Sequence, residues 1–456
     1  MSTAQLILAR LELAKTYEAW GCLYAVDAEQ VLNQAVQQDS RRLRGQFLGA
    51  LTGVSVVVKD SIDCSGLPTT GATPALAHHI VQHDAPIVQR LRQVDALLLG
   101  KTTMHELGLG VSGVNYHDHY PCVRNAIDPR YVAGGSSGGT AVAVALGIAD
   151  IGLGTDTGGS IRIPASLNGV VGLRPTQAPT SQYGACYSTQ GCLPLSPSLD
   201  TVGPMARDVS SLIRFDTCLQ GQATDRQEFS RTVRFGLPLS LWTALHPEVE
   251  SVAKHACHQL ARHGIELVDV DIPDLLALAR TLLFDLCMYE ARPALQAYLE
   301  RHGLSPALSL AQLAQRIANP EVQAVFRDYI LPGFSVQAWQ QSRFERQPLL
   351  LSRYLACLNR WRLDALCFPA VATLPPLWEE EMCRGMVESD GKYDSSFATL
   401  SRNAALASAT GSPAVVLPAG YSKQGLPIGM ELCGRPGEDS YLLQLGLLAE
   451  RIWASC

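Results

Sequence analysis

Long apolar runs are missing from this 456-residue chain. The longest continuous ones, such as residues 141–149, stop far short of the roughly 18–20 residues that cross a bilayer, so no membrane partner is expected. The N-terminus does not combine a basic stretch with an apolar one, as a secretory signal would. Charge of one sign is missing too. The 36 basic and 42 acidic residues leave a net charge of −6, which argues against a nucleic acid or an anionic membrane held mainly by charge. Among thirteen cysteines no C-x-x-C pair occurs, so their spacing offers no zinc or redox site. Cys287, Cys357 and Cys367 stand in apolar surroundings and read as reduced core residues, which fits the cytoplasm. Fixed-period repeats and low-complexity tracts are absent, and solenoids and propellers drop out.

What is present is ample apolar material: 47% hydrophobic against 17% charged residues, enough for a large core and too apolar for wholesale disorder. Apolar or β-branched runs at 54–58, 96–99, 148–154, 170–173, 233–237, 265–272, 365–368, 415–417 and 428–432 read as strands. Between them, amphipathic patterns at 27–36, 85–93, 140–146, 248–263 and 440–452 read as helices. Continuous apolar strands alternating with amphipathic helices require a sheet buried on both faces, the α/β class. Residues 274–350 read as mostly helical, an insertion over one end of the sheet, and 373–394 as a surface loop. No stretch has the composition of a flexible linker, so one large domain over 1–456 is expected.

The chemistry concentrates in Gly134-Gly135-Ser136-Ser137-Gly138-Gly139 and, further on, Gly154-Thr155-Asp156-Thr157-Gly158-Gly159-Ser160-Ile161-Arg162-Ile163-Pro164-Ala165. A phosphate-binding loop would place a lysine where Thr140 stands. A G-x-S-x-G nucleophile elbow matches at Ser136 but needs a late histidine base, and none follows His302. The whole span from Gly134 to Ala165, by contrast, resembles the amidase signature. The resemblance continues upstream in Val56-Val57-Val58-Lys59-Asp60-Ser61-Ile62-Asp63 and in Gly100-Lys101-Thr102-Thr103-Met104-His105-Glu106. Downstream it includes Asp200-Thr201-Val202-Gly203-Pro204-Met205 and Gly425-Leu426-Pro427-Ile428-Gly429-Met430-Glu431-Leu432. It covers residues from about 20 to 453 and implies a mixed, strongly twisted central sheet sandwiched by helices.

Amide hydrolysis needs a nucleophile, a base, oxyanion donors and an acid for the leaving nitrogen. The resemblance assigns Ser160 as nucleophile, Ser136 as proton bridge after a cis peptide, and Lys59 as base. A basic role requires a neutral amine, hence burial, and the end of an apolar strand suits that. A lone lysine there would otherwise snorkel to the surface. Thr157, Gly158 and Gly159 are expected to present backbone N–H groups to the substrate carbonyl, joined by that of Ser160. Ser137 is read as part of the network and as a cap of a helix starting near Thr140. Asp156 and Arg162 are read as supports of the loop, with the option that Arg162 meets an acidic substrate.

His117-Asp118-His119 lacks a third ligand motif and reads as loop. His78, His79 and His83 read as covering a helix surface, and His105 and Glu106 as pocket supports. No metal and no cofactor is expected. Segments around 289–299, 312–326 and 401–403 resemble the mandelamide and indoleacetamide hydrolases, which implies a primary, aryl-substituted amide. Met104, Gly135 and Tyr116 are candidate substrate contacts, with further apolar wall around 284–289. The amidase-signature alternative is the A subunit of glutamyl-tRNA(Gln) amidotransferase; outside enzymes, it is a non-catalytic scaffold of the same fold. The expected partner is a small-molecule amide, and a homodimer stays open.

Overall fold

The computed structural model describes residues 1–177, 186–220, 229, 231–389 and 392–454. Its strands are β1 (Leu23–Val26), β2 (Ser55–Lys59), β3 (Leu97–Thr102), β4 (Ile151–Asp156), β5 (Val171–Arg174), β6 (Thr201–Ala206) and β7 (Arg234–Pro238). They continue with β8 (Glu266–Val270), β9 (Ala365–Pro369), β10 (Met386–Ser389), β11 (Lys392–Ser395), β12 (Ala414–Tyr421) and β13 (Pro427–Cys433). Eleven of them form one sheet in the order β1-β3-β2-β4-β6-β5-β12-β13-β9-β7-β8. The pairs β3/β2, β2/β4, β9/β7 and β7/β8 are parallel and the others antiparallel, so the sheet is mixed.

The buried strands have no polar face because both faces are covered. Along β2 every residue is buried, yet the pleat sorts them. Val56 and Val58 join the core with helices Pro86–Gln93 and Val209–Gln220. Val57 joins the opposite one, with Val142 and Ala143 of helix Gly138–Ala145. Each such side chain contributes about 1.5–3 kcal/mol on burial, which fixes register, since a one-residue slip would exchange the two faces. Lys59 shares parity with Val57 and so points toward helix Gly138–Ala145. Parallel pairing of β2 with β4, where Val58 stands opposite Leu153, brings the two C-terminal strand ends together. That corner sets Lys59 against Thr155.

Four local expectations change. Residues 373–394 are not a bare loop: helix Trp378–Arg384 and the hairpin β10/β11 lie within them. Helix Thr3–Thr16 and edge strand β1 precede the first expected element, β1 being too short and weakly alternating to stand out. The 140–146 helix starts earlier, at Gly138, where Gly139 packs so closely that an added Cβ would meet Thr103 O and Cys22 O at 2.5 Å. His78, His79 and His83 follow the short 3-10 turn Pro74–Leu76 instead of lining a helix. The 274–350 segment is helical as expected, beginning with Leu275–Arg301. The described cysteines are free thiols, and among the described residues no helix is long and apolar enough to cross a membrane.

Candidate active site

Lys59 ends β2 with no exposed surface. Its Nζ donates to Ser136 Oγ and to Thr155 Oγ1, each at 2.7 Å, and more weakly to the Thr155 carbonyl at 3.4 Å. Two of the carboxylates near it are paired elsewhere, Asp60 with Lys101 and Asp156 with Arg162 and Arg174. Burial therefore dominates and pulls the Lys59 pKa down to about 7, against a smaller upward pull from Asp156, Asp200 and Cys192. An amine in that range is neutral in half the molecules near pH 7 and accepts a proton readily.

The Gly135–Ser136 peptide is cis. Ser136 O accepts from His105 N at 3.1 Å, and Ser137 N donates to the Ser160 carbonyl at 3.1 Å, so the two serine segments touch. Ser137 occupies the cap position of helix Gly138–Ala145 without capping it. Its hydroxyl instead donates to Thr155 O at 3.0 Å and accepts from Thr155 N at 3.3 Å, pinning the end of β4.

Ser160 follows a glycine that its conformation demands. Gly159 has φ +118°, and an added Cβ would stand 2.6 Å from Ala404 Cβ. The turn is held from beneath by Asp156, whose carboxylate accepts from Gly159 N at 2.9 Å, Ile161 N at 3.1 Å, and both Arg162 and Arg174. Burial alone would raise the Asp156 pKa, but the two guanidiniums outweigh it and hold the carboxyl well below the usual range. Arg162 is fully buried between Asp156, Glu431, Ala404 O and Ser408. It supports the loop, and the option that it meets substrate is closed. The expectation for Gly159 changes too, because its N–H is committed to Asp156. Among the described residues the N–H groups of Thr157, Gly158 and Ser160 carry no such bond.

A buried amine on one serine, beside a second serine behind a glycine turn with open N–H donors, is acyl-transfer geometry. The sequence profile of the family described as "Amidase" matches residues 5–443. The chain belongs to the amidase family. It is 34% identical to the mandelamide hydrolase of Pseudomonas putida over 99% of this chain and 88% of that one. To an indoleacetamide hydrolase of Allorhizobium ampelinum it is 31% identical, over 98% and 93% respectively. A solved structure described as an amidase superimposes with a TM-score of 0.84 at 32% identity, covering 100% of this chain and 96% of that one.

The amidase cavity, about 410 Å³, is lined by Ser136 and Thr157 together with Met104, Leu107, Leu193, Asp200 and Tyr298. Ser160 keeps 7% of its surface exposed but does not itself line the cavity, whose wall meets its loop at Thr157. Of the expected substrate contacts, Met104 is in place. Tyr116 is not: its hydroxyl donates to Met382 O at 3.3 Å, bracing helix Trp378–Arg384. Gly135 is packed on backbone, with Gly113 N 3.1 Å from an added Cβ, and does not reach the cavity. The apolar wall expected around 284–289 is displaced along the same helix. Phe284 packs on Tyr329 and Phe334, and Tyr289 stacks on Trp339, while Ala294, Ala297, Tyr298 and Arg301 face the cavity.

His105 is fully buried, its pKa lowered to about 4 by burial and then by Lys59. Its ring stands against Gly113 N and Asn319, and Glu106 accepts from Ala318 N and Asn319 N, so both brace the helical insertion. His117 and His119 lie on an exposed loop, where His119 meets Tyr24 OH at 3.0 Å. Among the described residues no three His, Cys, Asp or Glu side chains are grouped to hold a metal. Thr155 and Asp200 are functional neighbours that motif reading did not single out. Both stand at strand ends whose adjacency to Lys59 depends on the strand order.

Proposed function

We propose that this amidase hydrolyses primary amides of aryl-substituted acids to the acid and ammonia, through an acyl-enzyme on Ser160. The observation that carries the reading is the 2.7 Å contact between Lys59 Nζ and Ser136 Oγ in a fully buried site. With Lys59 neutral, the Ser136 hydroxyl donates to Nζ and is free to accept the Ser160 proton. Ser160 Oγ then forms its bond to the amide carbon while charge builds on the carbonyl oxygen, met by the N–H groups of Thr157, Gly158 and Ser160. The C–N bond breaks as the proton held by the serine–lysine relay passes to the leaving nitrogen. Water, activated by the same relay, then cleaves the ester and frees Ser160. Asp156, Arg162 and Ser137 keep the turn and β4 in place, and the domain is taken as the single unit 1–456.

The aryl preference is supported by the apolar share of the cavity wall, Met104, Leu107, Leu193 and Tyr298, and by the substrates in the names of the two relatives. Burying one ring contributes about 2–3 kcal/mol by area, or roughly 30- to 150-fold when expressed in the transition state. The purified chain is therefore expected to release ammonia from phenylacetamide faster than from acetamide by about that factor. Equal rates would defeat the aryl pocket. Inactivity alone, with glutamine-dependent activity only beside partner subunits and charged tRNA, would establish the amidotransferase reading instead.

A further inference from the structure

We propose that Asp200 is a positioning residue of this catalytic centre, clamping the Thr157 end of the oxyanion turn and supplying a negative charge, hydrogen-bonded by no cation, that acts on Lys59. Asp200 directly precedes β6, whose Thr201 pairs with Asp156 on β4, so it reaches the strand end that carries the turn. It is 9% exposed and lines the cavity. One oxygen accepts from Thr157 Oγ1 at 2.6 Å, and the other from Leu195 N and Ser196 N, both at 2.9 Å. Thr157 lines the cavity and offers an open N–H, so its side-chain anchor decides where that donor points.

The electrostatic half follows from a contrast between two neighbouring carboxylates. Asp156 is compensated by Arg162 and Arg174, whereas the partners of Asp200 are one hydroxyl and two amides. Burial raises the Asp200 pKa to about 6, helped by Glu290 and opposed by its three hydrogen bonds. It is thus mostly ionised above neutral pH. The groups facing Lys59 are Asp156, Asp200, Cys192 and, from the 105–113 segment, His105. Asp200 is the one that can lose its charge by an isosteric change without stranding an arginine. An ionised Asp200 favours protonated Lys59, so removing it lets the amine become neutral at lower pH.

The inference rests on Lys59 as the base, and the experiment separates the two. In Asp200→Asn the amide oxygen accepts the Leu195 and Ser196 N–H groups, and its NH2 donates to Thr157 Oγ1, which keeps the fold and deletes the charge. The acid limb of kcat/KM should move down by about one pH unit. Thr157→Val breaks the clamp while keeping the carboxylate and its Leu195 and Ser196 bonds, so it perturbs the same site by a different route. It should lower kcat by about tenfold and, by removing one of the bonds that keep Asp200 ionised, move the limb down by less than Asp200→Asn does. An unmoved limb in Asp200→Asn, or an unchanged kcat in Thr157→Val, overturns the inference. A wild-type profile without an acid limb near neutral pH overturns the underlying base assignment.

Discussion

Replacing Lys59 by methionine should abolish turnover and stabilise the fold. The amine's pKa falls from 10.5 to about 7 on burial, and at 1.36 kcal/mol per pH unit that displacement costs the folded state about 5 kcal/mol at pH 6. Unfolded chains keep this lysine protonated up to pH 10.5, whereas the folded site releases its proton from about pH 7. Unfolding therefore takes up a proton across that window, and stability rises with pH through it. By pH 9 the remaining cost is about 2 kcal/mol. Methionine fills similar volume without charge, but it leaves the Ser136 and Thr155 hydroxyls without their shared partner, a loss of about 1–2 kcal/mol. Lys59→Met should therefore be more stable than wild type by about 3 kcal/mol at pH 6 and nearly equal to it at pH 9. With an unfolding entropy of about 2.1 cal/mol/K per residue, the advantage in Tm is about 3 °C at pH 6. Thermal unfolding of both proteins at pH 6, 7.5 and 9, beside ammonia release, measures this. A variant less stable than wild type at pH 6, or an advantage that widens with pH, would refute the buried-amine argument.

For the wild type, kcat/KM should rise with pH through about 7, since the free enzyme's base must be neutral to work; a profile flat from pH 5 to 9 would contradict it. Arg162→Met strands Glu431 and leaves Asp156 to Arg174 alone in a fully buried site, and should destabilise by about 3–5 kcal/mol. Denaturant midpoints test this, and a change confined to KM would restore Arg162 as a substrate contact. Iodoacetamide at pH 7.5 should leave activity intact even though Cys192 lines the cavity, because burial raises its thiol far above the usual range. Inactivation with Cys192 alkylated would reverse that.

The candidate catalytic corner was legible because each of its motifs is local and the resemblance to the amidase signature joined them, although Lys59 and Ser136 stand 77 residues apart. Ser136 and Ser160 flank glycine turns, and Lys59 ends a continuous apolar strand, each a pattern with a physical reason. What escaped depends on long-range pairing. Thr155 meets Lys59 only because β2 lies between β3 and β4, an order that no strand announces. Asp200 faces the cavity through the antiparallel β4/β6 pair. Tyr116 was misplaced because its partner, Met382, sits in a segment whose Pro and Glu content reads as loop although it forms a helix. Around 284–289 the element was right and the position along it wrong. Ala294, Ala297, Tyr298 and Arg301 line the cavity further along the helix, while Phe284 and Tyr289 pack on aromatic side chains of the helical insertion. The N–H of Gly159 looked available until the carboxylate of Asp156, three residues earlier, turned back to accept it.

The central claim is that Ser160, served by Ser136 and Lys59, forms the covalent bond to the acyl group. A fluorophosphonate probe, followed by peptide mapping, tests it most directly. The adduct should fall on Ser160, vanish in Ser160→Ala, and form far more slowly in Lys59→Met. An adduct on Ser136, with Ser160→Ala still labelled, would contradict the account.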